Sequence, residues 1–446
     1  MPAEQWSRFR GPNGSGVSTE SGFPVEFGPS KNLLWKTKVP AGKSSPILTD
    51  EHLFLTSATD AKLITYCFDR KTGKLVWKRS IDRPRAVSNH PLNESAAASA
   101  VTDGENVYNF FEDWGLVSYD SKGKLRWRTP LGPFSNNQGI GTSPIYFEGR
   151  IILQIDQAID SYIAAFDAAD GEMLWQTTRG EHEGWATPIL YHHAGQEPQL
   201  LTVGDGLFGA HDPKTGKRTL NEFKIGGYVV ASPALENDIL VAYGYNINGH
   251  SSFDTLLASR DKNGDGVLAK GEYENSFFTG LANTRGNQDG LIQREEWDVI
   301  ERTYGGPSRL SAIRLKGTKN GAVQSEELWS YERSFQDVIP SPLLYQGVLY
   351  FVKNGGILTA MDAVTGKMLK QGRLREAIDG YSSSPVAAEG RIYIASEAGN
   401  MSVVKAGGEW RTLAVNVLEG DIFATPALSG GKIFVRTSEW LYCFGE

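Results

Sequence analysis

Short apolar runs, separated by turns rich in Gly, Asp, Asn and Pro, dominate the chain. That is the rhythm of β-strands. One phrase punctuates it: a small hydroxyl residue, then Pro, then a strand-like run. It stands at Ser45-Pro46, Ser143-Pro144, Thr187-Pro188, Ser232-Pro233, Ser341-Pro342, Ser384-Pro385 and Thr425-Pro426. An eighth copy, Ser99-Ala100, lacks the Pro. The steps between hydroxyl residues are 54, 44, 44, 45, 109, 43 and 41. A period in the forties with strand-like content predicts radial blades of four strands, and so an all-β, eight-bladed β-propeller. The one long step exceeds 44 by 65 residues, so something of its own is inserted there.

Blade two displays the unit: Ala98–Thr102, Asn106–Glu112, Leu116–Tyr119 and Lys124–Thr129. Before the outer strand comes a turn that recurs as Asp69…Gly73, Asp120…Gly123, Asp167…Gly171, Asp212…Gly216 and Asp362…Gly366. Asp bonds its own backbone there and Gly supplies positive φ. Trp77, Trp127 and Trp175 follow four residues after the Gly, with Leu220 and Lys370 in that place elsewhere and Trp35 and Trp329 in comparable outer strands. The last blade supplies only Ala424–Ser429, Lys432–Thr437 and Glu439–Phe444. The orphan run Leu33–Val39 is expected to complete it and close the ring. The division is then an N-terminal arm over 1–30, propeller over 31–252, an insert over 253–305 and the remaining blades over 306–446.

The chain has 446 residues, and repeat architecture accounts for that length without two cores. Its 50 Gly suit many tight turns. The net charge of −7 with no basic block argues against nucleic acid. No apolar run is long enough for a membrane span. Cys67 and Cys443 fall in equivalent strands of neighbouring blades, too far apart for a disulfide, and are expected as buried thiols. A monomer is expected.

The Asp…Thr-Gly…Trp unit resembles the pyrroloquinoline-quinone (PQQ) repeat family, over nearly the whole ring. The resemblance implies the propeller fold, with the Trp packed between blades. The family includes PQQ-dependent alcohol dehydrogenases and also non-catalytic propellers such as the lipoprotein of the outer-membrane assembly machine, so membership does not imply activity. The arm, with Trp6-Ser7-Arg8-Phe9-Arg10-Gly11-Pro12-Asn13-Gly14, is similar to the start of mature secreted propellers. An extracytoplasmic location, periplasmic or secreted, is therefore expected. The opening Met1-Pro2-Ala3 fits a chain whose leader has been removed.

Within the insert, Asp261-Lys262-Asn263-Gly264-Asp265-Gly266-Val267-Leu268-Ala269-Lys270-Gly271-Glu272 matches the twelve-residue EF-hand calcium loop. Calcium wants oxygen ligands. Asp261, Asn263, Asp265, the Val267 carbonyl and Glu272 would supply them, with a water at Ala269. A second loop, 285–296, keeps Gly290, Ile292 and Glu296 but carries Arg285 at the first ligand position. It is expected to bind calcium weakly or not at all, and to pair Leu268 with Ile292. Strand alternation puts the insert between the second and third strands of blade five, which run Ala231–Leu235, Ile239–Tyr243, Ser311–Leu315 and Glu327–Tyr331. The module should therefore stand beside the channel mouth.

The loops just before the inner strands line that mouth. In ring order they offer Lys43; His90, Asn93 and Glu94; Asn136, Asn137 and Gln138; His182, Glu183 and Trp185; Tyr228; Gln336 and Asp337; Asp379 and Tyr381; Asp421 and Phe423. Aromatics with acids and amides suit a small polar ligand. Solvated loops are polar in any case, so a purely structural role stands beside this.

The reading favoured is a non-catalytic, extracytoplasmic binding or scaffold propeller, with calcium in the EF-hand and a protein or glycan partner or a small polar ligand at the mouth. A quinoprotein alcohol or sugar dehydrogenase is the alternative that the resemblance implies, with Trp185 stacked on PQQ and Asp337 or Asp379 as base. Against it, no two cysteines are adjacent and no Cys-x-x-Cys-His haem site is present. A carbohydrate-active propeller, using Trp185, Tyr228 and Tyr381 with nearby acids, is a third.

Overall fold

We describe the chain from a computed structural model, over residues 6–85, 93–136, 138–157, 160–180, 183–204, 206–224, 229–244, 252–269, 271–273, 287, 289–304, 308–332 and 338–446. They form eight four-stranded sheets. Blade one is representative: Ile47–Leu48, His52–Ala58, Lys62–Asp69 and Leu75–Asp82, paired in sequence order. Its innermost strand is fully buried, and its outermost is exposed except at Trp77 and Ile81. The last blade pairs Ala427–Ser429, Lys432–Arg436 and Trp440–Phe444, then takes Leu33–Lys38 as its fourth strand. The two ends of the chain thus close the ring, with Trp35 opposite Cys443. Both cysteines are free and buried.

The recurring hydroxyl residues have a common physical purpose. Each accepts a hydrogen bond from the backbone N–H of its counterpart one blade earlier. Ser45 N donates to Ser99 Oγ (2.9 Å), Ser99 N to Ser143 Oγ (3.0 Å), Ser143 N to Thr187 Oγ1 (3.0 Å) and Thr187 N to Ser232 Oγ (2.8 Å). Ser232 N then donates to Ser341 Oγ (3.0 Å), Ser341 N to Ser384 Oγ (3.0 Å), Ser384 N to Thr425 Oγ1 (3.1 Å) and Thr425 N back to Ser45 Oγ (3.0 Å). These eight bonds close a belt around the axis, and all eight residues are buried. Buried backbone groups must be paired. At the crowded centre, where inner strands of adjacent blades cannot form a sheet, a short hydroxyl does the pairing.

Further out, apolar side chains fill the gaps between blades, as where Val101, Tyr108 and Leu116 of blade two meet Ile151, Leu153 and Phe166 of blade three. At the rim, each outer-strand Trp docks on the Asp–Gly turn of the next blade. Trp77 Nε1 donates to the Ser121 carbonyl (2.8 Å), Trp127 Nε1 to that of Ala168 (3.0 Å) and Trp329 Nε1 to that of Ala363 (3.0 Å). The glycine is needed for two reasons. Gly123 has φ +75°, and a Cβ there would lie 2.7 Å from the Trp77 ring. Lys370 replaces the Trp of blade six; its Nζ donates to the Trp410 carbonyl (2.7 Å) and stands 4.7 Å from the centre of that indole.

The N-terminal arm crosses one end of the central channel. Leu48 N donates to the Trp6 carbonyl and Thr102 N to that of Ser7, both at 2.9 Å. Asn13 clasps Leu190 through both its backbone groups, and Val17 forms a parallel bridge with Ala387. The arm thereby ties blades one, two, four and seven together.

Blade five is assembled from Ala234–Glu236, Ile239–Gly244, Arg309–Lys319 and Ala322–Glu332. Its last two strands are longer than Ser311–Leu315 and Glu327–Tyr331. Their extension docks on blade four, where Gly317 N donates to the Tyr191 hydroxyl (3.1 Å). Among the described residues between the second and third strands are the helices Phe253–Arg260 and Arg294–Tyr304.

Candidate functional site

The end of the channel opposite the arm gathers the loops before the inner strands. His90, His182, Tyr228 and Asp337, together with Asn137 and Gln336, lie outside the described residues. The others are largely engaged with one another. Lys43 N donates to Glu94 Oε1 (2.5 Å), Asn93 Nδ2 to the Gln138 carbonyl (2.9 Å) and Gln138 N to Asn136 Oδ1 (2.9 Å). Trp185 Nε1 donates to the Gly139 carbonyl (2.7 Å). These bonds stitch the mouth loops of blades one to four into a collar.

The half-buried Lys43 ammonium stands 5.2 Å from the centre of the Phe423 ring. Burial lowers its pKa, opposed by the nearby carboxylates Glu94 and Glu397. Lys43, Glu94, Glu397 and Phe423 thus bring together blades one, two, seven and eight. Asp379 serves its own blade, its Oδ2 accepting from Ser396 Oγ (2.7 Å) and Asn400 Nδ2 (2.9 Å). Asp421 is exposed, with its backbone paired to Ser438. Glu183 is buried. Tyr381 presents no ring face to the mouth: it is 1% exposed, and its hydroxyl donates to the Ala377 carbonyl (3.1 Å). Burial pushes that hydroxyl's pKa up.

Several acidic residues of this face escaped the sequence reading because they sit in the second-to-third strand connections, which reach the same face. Glu397 is one. Glu112 and Asp113 of blade two are others, both buried. Burial raises the Glu112 pKa to about 7. Asp113 pairs with Arg83. In blade three, Asp156 and Arg179 form a wholly buried ion pair, Nε to Oδ1 at 2.7 Å, and Gln154 Nε2 donates to Asp156 Oδ2 (2.6 Å). The strand alternation that placed the insert applied equally to these connections and pointed to them.

The helical insert meets the mouth directly. Phe253, Leu268, Ile292 and Trp297 form its core, and Trp185 and Val230 of the propeller pack against it. Leu268 and Ile292 exchange two backbone hydrogen bonds of 3.0 Å. Around residues 261–272, Asp261 accepts from Gly264 N (2.7 Å) and Gly266 N (3.0 Å), and Asp265 Oδ1 from Val267 N (3.0 Å). Glu272 accepts from Lys262 N (2.9 Å) and Ala269 N (3.0 Å). Glu296 does the same with Asn287 N (3.1 Å) and Gln293 N (3.0 Å). Gly264 and Gly266 both take positive φ. Asp261, Asn263, Asp265 and Glu272 fit a hard cation in donor chemistry. Among the described residues no three acidic, His or Cys side chains converge on one metal position.

A quinone pocket of the kind that the resemblance implies is a poorer fit among the described residues. Cys67 and Cys443 are buried in strands. One side of Trp185 is taken by the insert.

The family model PQQ_2, described as outer membrane protein assembly factor BamB, matches residues 63–246 and 302–445, well over half of the chain. The chain belongs to this family. The unmatched stretch between the two segments, 247–301, contains most of the insert. Among curated relatives, BamB of Burkholderia pseudomallei is 25% identical over 278 residues, covering 58% of this chain and 65% of that protein. Polyvinylalcohol dehydrogenase of a Sphingopyxis species is 24% identical over 216 residues, 44% of this chain and 31% of that protein. The chain therefore spans less than two thirds of either relative. Of solved structures, BamB from Moraxella catarrhalis superposes with a TM-score of 0.59 at 12% identity, over 93% of this chain and 99% of that one. The quinohemoprotein alcohol dehydrogenase of Comamonas testosteroni gives 0.60 at 12% identity, over 100% and 81%. At such identities these likenesses establish the propeller fold alone. Curated relatives thus carry names of more than one kind, assembly factor and dehydrogenase among them. No described helix is long and apolar enough to cross a membrane.

Proposed function

We propose that this PQQ_2 propeller is a non-catalytic binding or scaffold protein working outside the cytoplasm, and that its insert is an EF-hand pair whose first loop binds calcium and stiffens one side of the ligand face. The observation that carries the reading is the shared core of insert and mouth: Trp185 and Val230 pack on Phe253, Leu268, Ile292 and Trp297. Calcium drawn into 261–272 would order that core, and with it the loop carrying Trp185. The paired bridge at Leu268 and Ile292 and the matching carboxylate bonds of Glu272 and Glu296 support a paired module. The names of the BamB relatives support a protein as the partner, and an extracytoplasmic site of action.

The test is hydrogen exchange of the whole protein with and without calcium. Residues 183–187 and 229–232 should gain protection together with 261–272, and Glu272→Gln should abolish both effects. Calcium protection confined to the insert would sink the coupling. No protection anywhere at millimolar calcium would sink the metal site.

The dehydrogenase alternative keeps the support of the polyvinylalcohol dehydrogenase relative. The collar's mutual hydrogen bonds and the engagement of Trp185 weigh against it.

A further inference from the structure

Four arginines are buried in the described protein: Arg8, Arg10, Arg179 and Arg436. Two have carboxylate company. Arg179 is paired with Asp156, and Arg436, held by the carbonyls of Ser44 and Thr56, feels Glu94. Among the described residues, Arg8 and Arg10 have none. They project from the arm that crosses the floor of the channel; Arg8 feels the charge of Arg10, and Arg10 feels the Tyr243 hydroxyl. Arg8 Nη2 donates to the Pro188 carbonyl and Arg10 Nη2 to the Pro342 carbonyl, both at 2.6 Å. These are prolines of the recurring phrase, in blades four and six. Arg8 Nε, Arg10 Nε and Arg10 Nη1 are buried with no hydrogen-bond partner.

Guanidinium groups do not deprotonate in proteins. Two positive charges are therefore shut inside the ring, with three donors unused. A buried charge without a counter-charge is costly, and so is a buried donor without an acceptor. Burial and mutual repulsion both lower the Arg8 pKa, to about 9. The arm is built to hold this arrangement. Arg10 adopts φ +60°, a strained conformation for a side-chain-bearing residue, and Gly11 beside it cannot accept a Cβ because the Trp6 ring lies 2.5 Å away. A backbone strained to bury an uncompensated guanidinium calls for something negative to receive it.

We propose that the channel floor holds a small inorganic anion, halide or oxyanion, between Arg8 and Arg10. It would accept from the unused Nε and Nη1 donors and lock the arm onto the ring. Its chemistry is distinct from the cation proposed for the insert, and it sits at the other end of the channel.

The experiment uses the intact protein at constant ionic strength, exchanging a bulky organic anion for chloride, bromide or phosphate. A rise in Tm of several degrees that saturates in the low-millimolar range is expected. Non-specific salt effects grow without saturating. Arg10→Met and Arg8→Met should flatten the response. A folded variant that keeps the saturable rise would overturn the proposal. Should those variants fail to fold, crystals of the unaltered protein grown in bromide decide by themselves. An anomalous peak within hydrogen-bond reach of both guanidiniums supports the site, and water alone at that position refutes it.

Discussion

Replacing Ser143 with Ala breaks one link of the axial belt and isolates its worth. Ser143 Oγ is the acceptor for Ser99 N at 3.0 Å, and Ser99 and Ser143 are 2% and 3% exposed. Without the hydroxyl, the Ser99 N–H is left buried and unpaired. Its desolvation, at about 1–3 kcal/mol, is not repaid. Ser143 keeps its own N–H bond to Thr187 Oγ1, so the loss is confined to one link. We expect a destabilisation of about 2 kcal/mol. The assay is urea unfolding together with native-state hydrogen exchange of the peptide containing Ser99. A loss of 2 kcal/mol corresponds to about thirty-fold faster exchange wherever that amide opens with the ring. Ser143→Thr should restore both readouts, because Thr187 and Thr425 already fill the same role in other blades. Stability within about 0.5 kcal/mol of the parent and unchanged exchange at Ser99 would refute the belt as a stabilising device.

Other consequences follow from the same structure. Asp156→Asn removes the buried carboxylate that Arg179 pairs with, at a site with both side chains fully buried, and should cost roughly 3–5 kcal/mol in chemical denaturation. Glu112 has its folded pKa raised from 4.5 to about 7, so the folded state holds a proton that the unfolded chain has released. Its contribution to stability is therefore present at low pH and lost as pH rises from about 4.5 to about 7, by an amount on the order of 3 kcal/mol. Glu112→Gln should flatten that slope in a pH series of unfolding curves and make the protein more stable than the parent at pH 8. Gly123→Ala should loosen the docking of blade one on blade two, since its Cβ would lie 2.7 Å from the Trp77 ring, and is expected to show as a lowered Tm.

The ring was legible because its repeat residues have local reasons to recur. A hydroxyl followed by Pro is needed where an inner strand starts, and Asp with Gly is needed where a turn meets the neighbouring indole. That each hydroxyl serves the preceding blade was not legible, because the partners lie 41 to 109 residues apart, and 380 apart in the bond that closes the belt. The long hairpin of blade five was underread. Its tip, Lys316-Gly317-Thr318-Lys319-Asn320-Gly321, is polar and Gly-rich, and its strand pairing rests on docking to Tyr191 and Gln196 of blade four. The mouth was located by strand alternation. The engagement of Trp185 by the insert and the burial of Tyr381 depend on tertiary packing that residue type does not announce. The buried arginines of the arm gave only a Gly-rich, irregular signal. Nothing local marks Arg8 and Arg10 as interior residues.

The central claim, a calcium-stiffened binding propeller without a quinone, is tested most directly by thermal-shift titration with calcium, with PQQ, and with both, followed by absorbance of the dialysed protein. The account predicts a saturable calcium shift that Glu272→Gln removes, with no PQQ response. A saturable PQQ shift that grows with calcium, with quinone absorbance retained after dialysis, would contradict it and make the protein a dehydrogenase candidate.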